Sequence, residues 1–446
     1  EFRRVLFRSE KFMDKMADVL GRAGAWCGQN KYLSAIKNAF QNFMPLTIAG
    51  AIGVLWCNVL VNDQTGLGLF FKPIMALDFL NPAFQAVNFC TISCITVGIT
   101  LGIAQEIGVW NMGAERAGYI PGLVGLAAWL SVTNTSHMVE GAKEAFTGIA
   151  GNELGATGLF TGMIIGVLSV ELFCFFEKQD ALKIKMPEQV PPGVARAFEV
   201  LVPATITLII TACIGSACYN LTGLYLNDVI KNGIQGPLGA VGATIPGVMI
   251  IYLVIMLFWL VGIHGNNMLS AVKEALFTPL ALENVEKFNK GEKPTNIINM
   301  YALQMWGEFG GSGVTIGLVI AIMIFGKRED NKAIATLSLV PGLFNINETV
   351  TFGVPMVLNP ILGIPFVVAP LITIIIGYVL TVIGFCPVAC LTVPWTTPPI
   401  VFGFLACGAN VMGAVTQAIL IVVSTVIYVP FLISYEKYQN KQAAEA

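Results

Sequence analysis

Residues 243–267 read ATIPGVMIIYLVIMLFWLVGIHGNN, and this stretch decides the class of fold. Its first part, 243–263, is an uncharged and almost wholly apolar run. A helix needs about 20 such residues to cross the hydrocarbon core of a bilayer. The run ends in one histidine and two amides, His264, Asn266 and Asn267. The stretch therefore predicts a membrane helix with polar side chains at its end.

Apolar runs of comparable length recur along the chain. They predict membrane spans at about residues 44–62, 83–105, 118–134, 154–176, 201–221, 243–263, 312–326 and 411–434. Between 333 and 405 the apolar stretches are less regular. Composition agrees, because 55% of the residues are hydrophobic and 12% are charged, whereas soluble domains carry about 25% charged residues. The sequence therefore predicts an all-α polytopic membrane protein.

Several functional classes find no support in the sequence. The net charge of −2 gives no reason to expect a nucleic-acid partner. The ten cysteines form no C-x-x-C pair and lie mostly in apolar runs, so we interpret them as small buried residues and predict no metal site. A G-x-x-x-x-G-K-[ST] loop is absent, which argues against direct use of ATP. We predict no cofactor.

Positive charge predicts the orientation, because short cytoplasmic loops are enriched in lysine and arginine. Two basic clusters lie before the first span and between the fourth and fifth: Lys11, Lys15, Arg22, Lys31 and Lys37, then Lys178, Lys183, Lys185 and Arg196. The loops between them hold few cations, namely Lys72, Arg116 and Lys143. This pattern predicts a cytoplasmic N-terminus.

The alternation of charged and uncharged loops fails in the second half. Basic residues lie on both sides of one apparent span: Lys273, Lys287, Lys290 and Lys293, then Lys327, Arg328 and Lys332. Either the segment 264–311 enters the membrane part-way, or it hides a further crossing. Non-helical backbone is tolerated inside a membrane only where protein or a water-filled cavity surrounds it. The segment therefore indicates a functional site.

The N-terminal region carries two further features. Residues 1–9 are rich in arginine and lack an initiator methionine, so we interpret them as a cloning or sequencing scar. Apolar residues then recur at helical spacing just before the first span, at Leu33, Ile36, Phe40 and Phe43. This pattern predicts either an amphipathic helix in the membrane interface or a helical extension of the first span.

Two polar clusters interrupt the apolar sequence, His264-Gly265-Asn266-Asn267 and Asn345-Ile346-Asn347-Glu348. An ionisable group in a membrane segment is unfavourable and by default marks a functional site. Prolines and glycines on both sides of Glu348 break helices, and broken helices free backbone groups to bind a polar solute. Two alternatives stay open: His264 is a helix-end residue in the interface, and Glu348 is a structural carboxylate satisfied by nearby amides.

Other polar residues give weaker signals. Glu308, next to the glycine-rich run at 310–313, is interpreted as a residue at a helix start in water, and His137 as a solvated loop residue. The run 393–399 places Trp395 beside the hydroxyls of Thr396 and Thr397. Carboxylates and amides bind the hydroxyls of a sugar, and an aromatic ring covers its apolar face. These features favour a carbohydrate over an ion or a lipid.

At these residues the sequence resembles a known family, the membrane component (EIIC) of phosphotransferase-system permeases of the lactose, cellobiose and diacetylchitobiose branch. The resemblance rests on six segments: 190–195 (VPPGVA), 262–267 (GIHGNN), 310–313 (GGSG), 344–348 (FNINE), 358–362 (LNPIL) and 394–399 (PWTTPP). The glycine run is the least specific of them. At 115–121 the chain reads ERAGYIP, whereas the family more often has a tyrosine followed by an aspartate–proline pair.

The resemblance implies a fold of the glucose-superfamily type with about ten transmembrane helices and re-entrant hairpins, in the bacterial cytoplasmic membrane. It implies a homodimer, with a five-span dimerisation domain at 10–235 that includes the amphipathic helix. A transport domain with two re-entrant hairpins would follow at 236–435 and a cytoplasmic tail at 436–446. Both termini would be cytoplasmic, and the transport domain would move like an elevator.

The resemblance also implies the site and the partners. His264 and Glu348 would bind the hydroxyl that becomes phosphorylated, supported by Asn267 and Asn347, while Trp395 and Thr396 would line the pocket. The substrate would be a disaccharide such as cellobiose or diacetylchitobiose. The phosphoryl donor would be a phosphocysteine on the separate EIIB component, charged through EIIA and HPr, so this chain would carry no catalytic residue of its own.

Two other functions fit parts of the sequence. An ion-coupled sugar symporter also uses broken helices and a carboxylate in mid-membrane. An intramembrane serine protease would use Ser312 of the Gly310-Gly311-Ser312-Gly313 run as its nucleophile. A serine nucleophile needs a base within hydrogen-bond reach, however, and no histidine follows Ser312 in the chain.

Overall fold

The computed structural model describes residues 18–63, 67–137, 145–187 and 189–445. The segment 1–9, interpreted above as a scar, lies outside these residues, as do Lys11, Lys15 and Lys143 of the charge pattern.

The first half of the chain folds into helices and one short hairpin. The helices are α1 (18–29), α2 (Lys31–Leu55), α3 (Asn81–Cys90), α4 (Ile95–Met112), α5 (Ala114–Ala117), α6 (Ile120–Val132), α7 (Gly151–Leu154), α8 (Leu159–Glu177), α9 (Pro192–Thr222) and α10 (Leu226–Ile230). The strands β1 (Ser136–His137) and β2 (Phe146–Thr147) pair antiparallel. Asn30 caps α2, because its side chain accepts hydrogen bonds from the backbone N–H groups of Tyr32 and Leu33.

Helix α4 lies at the centre of this half and packs against α2, α6 and α8. Glycines allow the close approach. A Cβ atom on Gly125 of α6 would lie 2.3 Å from the Cβ of Ala104, and one on Gly162 of α8 would lie 2.2 Å from the Oγ1 of Thr100. Small residues at such contacts are typical of membrane helices, where association depends on packing rather than on the hydrophobic effect.

The second half forms shorter helices separated by irregular segments. They are α11 (Gly236–Gly242), α12 (Ile245–Leu260), α13 (Gly265–Met268), α14 (Ser270–Asn289), α15 (Met300–Gly307), α16 (Ile316–Phe325), α17 (Glu329–Leu343), α18 (Glu348–Gly353), α19 (Gly363–Val382), α20 (Val401–Ala406) and α21 (Val411–Glu445). Helix α16 packs against α17 and α21, and α19 packs against α12, α15 and α21. Helix α14 also contacts α2 of the first half.

Within the described ranges, six helical stretches are long and apolar enough to cross a membrane. They are Lys31–Leu60, Lys72–Met112, Leu159–Glu177, Pro192–Thr222, Gly363–Val382 and Val411–Gln442. Five of them overlap predicted spans, and the fifth in order, Gly363–Val382, lies in the stretch 333–405 where no single span was assigned. Three further predicted spans correspond to the shorter apolar helices α6, α12 and α16. The total of about ten crossings stays a prediction.

The ambiguous segment 264–311 folds as a hairpin. Helices α14 and α15 pack against each other, and residues 290–299 connect them. Lys273 is buried within this hairpin, so it does not belong to a basic loop as the charge pattern suggested. At the other end of the chain, residues 31–43 belong to the same continuous helix as the start of the first predicted span.

Candidate functional site

The broken helices of the second half surround a cavity of about 880 Å³. A volume near the upper end of the range for small-molecule sites, about 300–1,000 Å³, suits a ligand larger than one sugar ring. Five of the six predicted site residues line it: His264, Asn267, Asn347, Glu348 and Trp395. Thr396 does not. Helix α2 of the first half supplies part of the wall, including Lys37 and Gln41.

His264 and Glu348 face each other across this cavity. His264 caps α13, because its Nδ1 accepts a hydrogen bond of 3.2 Å from the backbone N–H of Asn267. In the neutral imidazole the proton is therefore on Nε2, which lies 3.8 Å from Oε1 of Glu348. The two side chains are 37% and 47% exposed, so the gap between them is open to the cavity. The Glu348 carboxylate accepts no hydrogen bond from an amide in the described part of the chain, which counts against its reading as a structural carboxylate satisfied by neighbouring amides.

A hydroxyl group fits between these two side chains. The separation of 3.8 Å is too long for a direct hydrogen bond. It is shorter than twice a usual hydrogen bond, about 2.8 Å, so one oxygen can lie within reach of both atoms. Such an oxygen would accept from Nε2–H of His264 and donate to the carboxylate of Glu348. The buried ring of Trp259, 4.4 Å from the imidazole between centroids, fixes the orientation of His264.

Asn347 supports the loop that carries Glu348. Its side chain is 4% exposed and donates to the backbone O of Ser312 at 3.1 Å and to Oγ1 of Thr351 at 3.0 Å. These bonds attach the loop 344–348 to the glycine-rich run 310–313. Asn347 therefore borders the cavity mainly as a buried structural amide.

Asn345 was not among the predicted site residues, yet it joins three loops at the cavity. Its Oδ1 accepts from the backbone N–H of Gly310 at 2.6 Å, and its Nδ2 donates to the backbone O of Thr397 at 3.1 Å and to that of Trp395. Its φ is +62°, in the left-handed region that asparagine adopts more readily than most residues. The sequence offered a signal, since Asn345 lies within the FNINE motif.

The segment around Trp395 differs from the prediction in one residue. Trp395 lines the cavity and is 45% exposed, as expected for an aromatic ring that covers a sugar. The hydroxyl that this segment presents to the cavity is that of Thr392 rather than Thr396. Thr392 Oγ1 lies 2.6 Å from the hydroxyl of Tyr301 on α15, which also lines the wall. Position within a motif did not indicate which of the threonines faces inward.

A buried ion pair lies at another part of the wall, where Glu308 lines the cavity. Lys273 and Glu308 are in direct contact, and their side chains are 7% and 16% exposed. The carboxylate of Glu308 also accepts a hydrogen bond of 2.7 Å from the hydroxyl of Tyr252, and Lys273 donates to Oδ1 of Asn266 at 3.3 Å. The interpretation of Glu308 as a residue in water was therefore wrong. A buried charge is tolerated where a partner and hydrogen bonds compensate it.

Ser312 lacks the surroundings of a nucleophile. It is buried, and its Oγ accepts a hydrogen bond of 2.9 Å from the side-chain amide of Asn266. An amide cannot take the proton of a serine hydroxyl, so no base activates Ser312. This contact counts against the serine protease reading.

His137 and the cysteines considered in the sequence analysis lie outside the cavity lining. His137 is half-buried beside Phe146 and plays no part in the wall. Four of the ten free cysteines are buried within the protein, whereas Cys90 and Cys213 are exposed on the candidate spans Lys72–Met112 and Pro192–Thr222. The described ranges hold no group of three or more metal-ligating side chains.

The segment 115–121, which departs from the family pattern, lies away from the cavity. Arg116 forms ion pairs with Glu177 at 2.8 Å and with Glu199 at 3.2 Å, next to Arg196. The hydrogen bond to Glu177 raises the pKa of the Arg116 guanidinium. None of residues 115–121 lines the cavity, so the departure does not alter the candidate site.

Comparison with known proteins identifies the family. The family model described as "Phosphotransferase system, EIIC" matches residues 37–370. The chain belongs to the EIIC family. The oligo-β-mannoside-specific EIIC component of Bacillus subtilis (strain 168) is 32% identical over 433 residues, which cover 96% of this chain and 94% of the relative. The cellobiose-specific EIIC component of Lactococcus lactis subsp. lactis (strain IL1403) is 30% identical, with 96% and 98% coverage.

The fold of this EIIC component also matches a solved structure. The crystal structure of ChbC, the IIC component of the N,N′-diacetylchitobiose-specific phosphotransferase system, superposes with a TM-score of 0.86 at 29% identity, covering 94% of this chain and 97% of that one. The predicted all-α polytopic fold and the resemblance are therefore confirmed. This EIIC component is a multi-pass bacterial membrane protein of phosphotransferase sugar uptake.

Proposed function

We propose that this EIIC component carries a β-linked disaccharide across the cytoplasmic membrane, and that one sugar hydroxyl is phosphorylated between His264 and Glu348. The observation that carries the proposal is the open gap of 3.8 Å between Nε2 of His264 and Oε1 of Glu348. The names of the relatives, which specify oligo-β-mannosides, cellobiose and diacetylchitobiose, support the substrate class.

The two side chains have complementary roles towards this hydroxyl. Nε2–H of His264 donates to the sugar oxygen and holds it in place, while the carboxylate of Glu348 accepts the hydroxyl hydrogen. When the sugar oxygen bonds to phosphorus, the bond between phosphorus and the cysteine sulfur of EIIB breaks, and the hydroxyl proton passes to Glu348. The proposal therefore gives Glu348 the role of a general base, whereas the sequence analysis expected no catalytic residue in this chain. The phosphocysteine belongs to EIIB, which EIIA and HPr recharge.

Phosphorylation explains the direction of transport. A phosphoryl group adds about 1.5 to 2 negative charges near neutral pH. A charged sugar does not return through the apolar protein, so uptake needs no ion gradient. Family membership favours this coupling over the symporter reading.

We further assign an elevator-type movement of a transport domain, 236–435, against a dimerisation domain, 10–235, in a homodimer. Two features support the division. The longer helices of the first half pack mainly among themselves, as do those of the second half. The cavity takes most of its wall from the second half and a smaller part from α2. A cytoplasmic N-terminus agrees with the basic residues before α2 and after α8, and we assign the C-terminus to the same side.

Binding of disaccharides to the purified chain in lipid nanodiscs tests the proposal. The substitution Glu348→Gln keeps the shape of the side chain and removes the charged acceptor. We expect it to raise the dissociation constant at least tenfold for whichever of cellobiose, β-mannobiose and diacetylchitobiose the wild type binds most tightly, since hydrogen bonds to charged groups contribute about 1.5–3 kcal/mol.

Glu286→Gln is the matched control, because Glu286 on α14 is half-buried, lies outside the cavity lining and, within the described residues, pairs with Lys290. It should leave the dissociation constant unchanged. Tight binding of the disaccharide by Glu348→Gln, or no binding of any of the three sugars by the wild type, would contradict the proposal.

A further inference from the structure

Helix α14 presents a polar stripe to the cavity that the proposed phosphorylation site does not use. Ser270, Glu274 and Thr278 are spaced by four residues, which places them on one helix face, and all three line the cavity. At 1.5 Å per residue the stripe is about 12 Å long. It begins immediately after His264 and Asn267 and leads away from them, so the cavity extends beyond the place of the phosphorylated ring.

Glu274 on this stripe has one carboxylate oxygen that accepts no hydrogen bond from the described part of the chain. Its Oε2 accepts a hydrogen bond from the hydroxyl of Thr278. Its Oε1 has no hydrogen-bond donor anywhere in the described part of the chain, and no lysine or arginine there pairs with it. The neighbouring Lys273 pairs with Glu308 instead. A carboxylate oxygen without a donor inside a membrane protein is unfavourable, and a ligand that donates a hydrogen bond would satisfy it.

Gln304 offers a second unused group, on the helix that packs against α14. It lies on α15, one helical turn after Tyr301 and one before Glu308, and all three line the cavity. Its side-chain amide forms no hydrogen bond within residues 18–63, 67–137, 145–187 and 189–445. An amide both donates and accepts, whereas an ionised carboxylate only accepts. Together the two side chains match the hydroxyls of a sugar ring, which donate and accept.

We propose that Glu274 and Gln304 form a second sugar subsite, which binds the ring of the disaccharide that is not phosphorylated. This inference rests on the proposed function, because it takes His264 and Glu348 as the site of the first ring. The subsite would give the protein its preference for two-ring over one-ring sugars. Hydroxyl donors on the second ring are the groups that it recognises.

Comparison of two-ring and one-ring ligands tests the subsite. The two-ring probe is the disaccharide that the wild type binds most tightly among cellobiose, β-mannobiose and diacetylchitobiose, and the one-ring probe is the methyl β-glycoside of its sugar unit. We expect Glu274→Gln to raise the dissociation constant of the disaccharide about tenfold and to change that of the methyl glycoside less than twofold. Gln304→Met should show the same selective loss of affinity for the disaccharide. It therefore still tests the subsite if Glu274→Gln does not fold. Glu286→Gln on the same helix is again the control.

Each outcome has a separate meaning. If Glu348→Gln weakens both probes but Glu274→Gln and Gln304→Met weaken neither, the subsite is wrong and the proposed function stands. Equal weakening of both probes by Glu274→Gln also overturns the subsite, because Glu274 would then act on the first ring or on the fold. If Glu348→Gln leaves both probes unaffected, the proposed function itself fails.

Discussion

Removal of one partner from the buried pair Lys273–Glu308 should destabilise the protein strongly. The substitution Lys273→Met keeps the length of the side chain and leaves the carboxylate of Glu308 with the hydroxyl of Tyr252 as its remaining donor. The pair is mostly shielded from water, with side-chain exposures of 7% and 16%, so solvent does not compensate the lost charge. Breaking a buried pair in this way costs about 3–5 kcal/mol.

Two features of the pair refine this estimate. The substitution also removes the hydrogen bond from Lys273 to Asn266, and the loss of this bond is included in the estimated destabilisation. The double variant Lys273→Met, Glu308→Gln carries no buried charge, so we expect it to recover much of the lost stability. The pair should therefore couple by more than about 1 kcal/mol, as neighbouring residues in one network do.

The assay is reversible unfolding of the wild type, both single variants and the double variant in mixed micelles with increasing SDS. The free energy of unfolding gives the coupling through a double-mutant cycle. Two results would refute the reasoning that the pair compensates its own buried charges. In one, Lys273→Met is as stable as the wild type; in the other, the double variant is less stable than both single variants.

Further substitutions test three residues at the cavity and two residues outside its lining. Asn345→Ala removes the bonds that join three loops and places alanine at a φ of +62°, so both thermal stability in detergent and disaccharide affinity should fall. Trp395→Ala should weaken disaccharide binding about tenfold or more and Trp395→Phe much less, if the exposed ring covers the sugar; equal effects in binding assays would contradict this. Thr392→Val should reduce affinity, whereas Thr396→Val should not, because only Thr392 lines the cavity. Arg116→Ala should lower the melting temperature without altering the dissociation constant, since its ion pairs lie away from the cavity.

The sequence was sufficient to predict the membrane class and most of the long helices, because hydropathy over about 20 residues is a strong signal. It did not predict where helices break inside apolar sequence. The predicted span 83–105 is interrupted at Thr91, whose hydroxyl donates to the backbone O of Val87 at 2.6 Å. Such a break depends on local hydrogen bonds, which a hydropathy average does not register.

The candidate site was predictable where a rare residue stands in an apolar run. His264 and Glu348 stood out for that reason, and the structure brings them together although 84 positions in the sequence separate them (348 − 264). Lys273 and Glu308 were missed because each looked like an ordinary charge near a loop. Their roles depend on a contact between two helices of a hairpin, and a contact over that distance in sequence has no local pattern.

The central claim is that one sugar hydroxyl lies between His264 and Glu348. A structure of this protein with its bound disaccharide tests it most directly. We expect one hydroxyl oxygen at about 2.6–3.2 Å from both Nε2 of His264 and a carboxylate oxygen of Glu348. A sugar bound elsewhere, or bound in the cavity with no hydroxyl in contact with these two side chains, would contradict the claim.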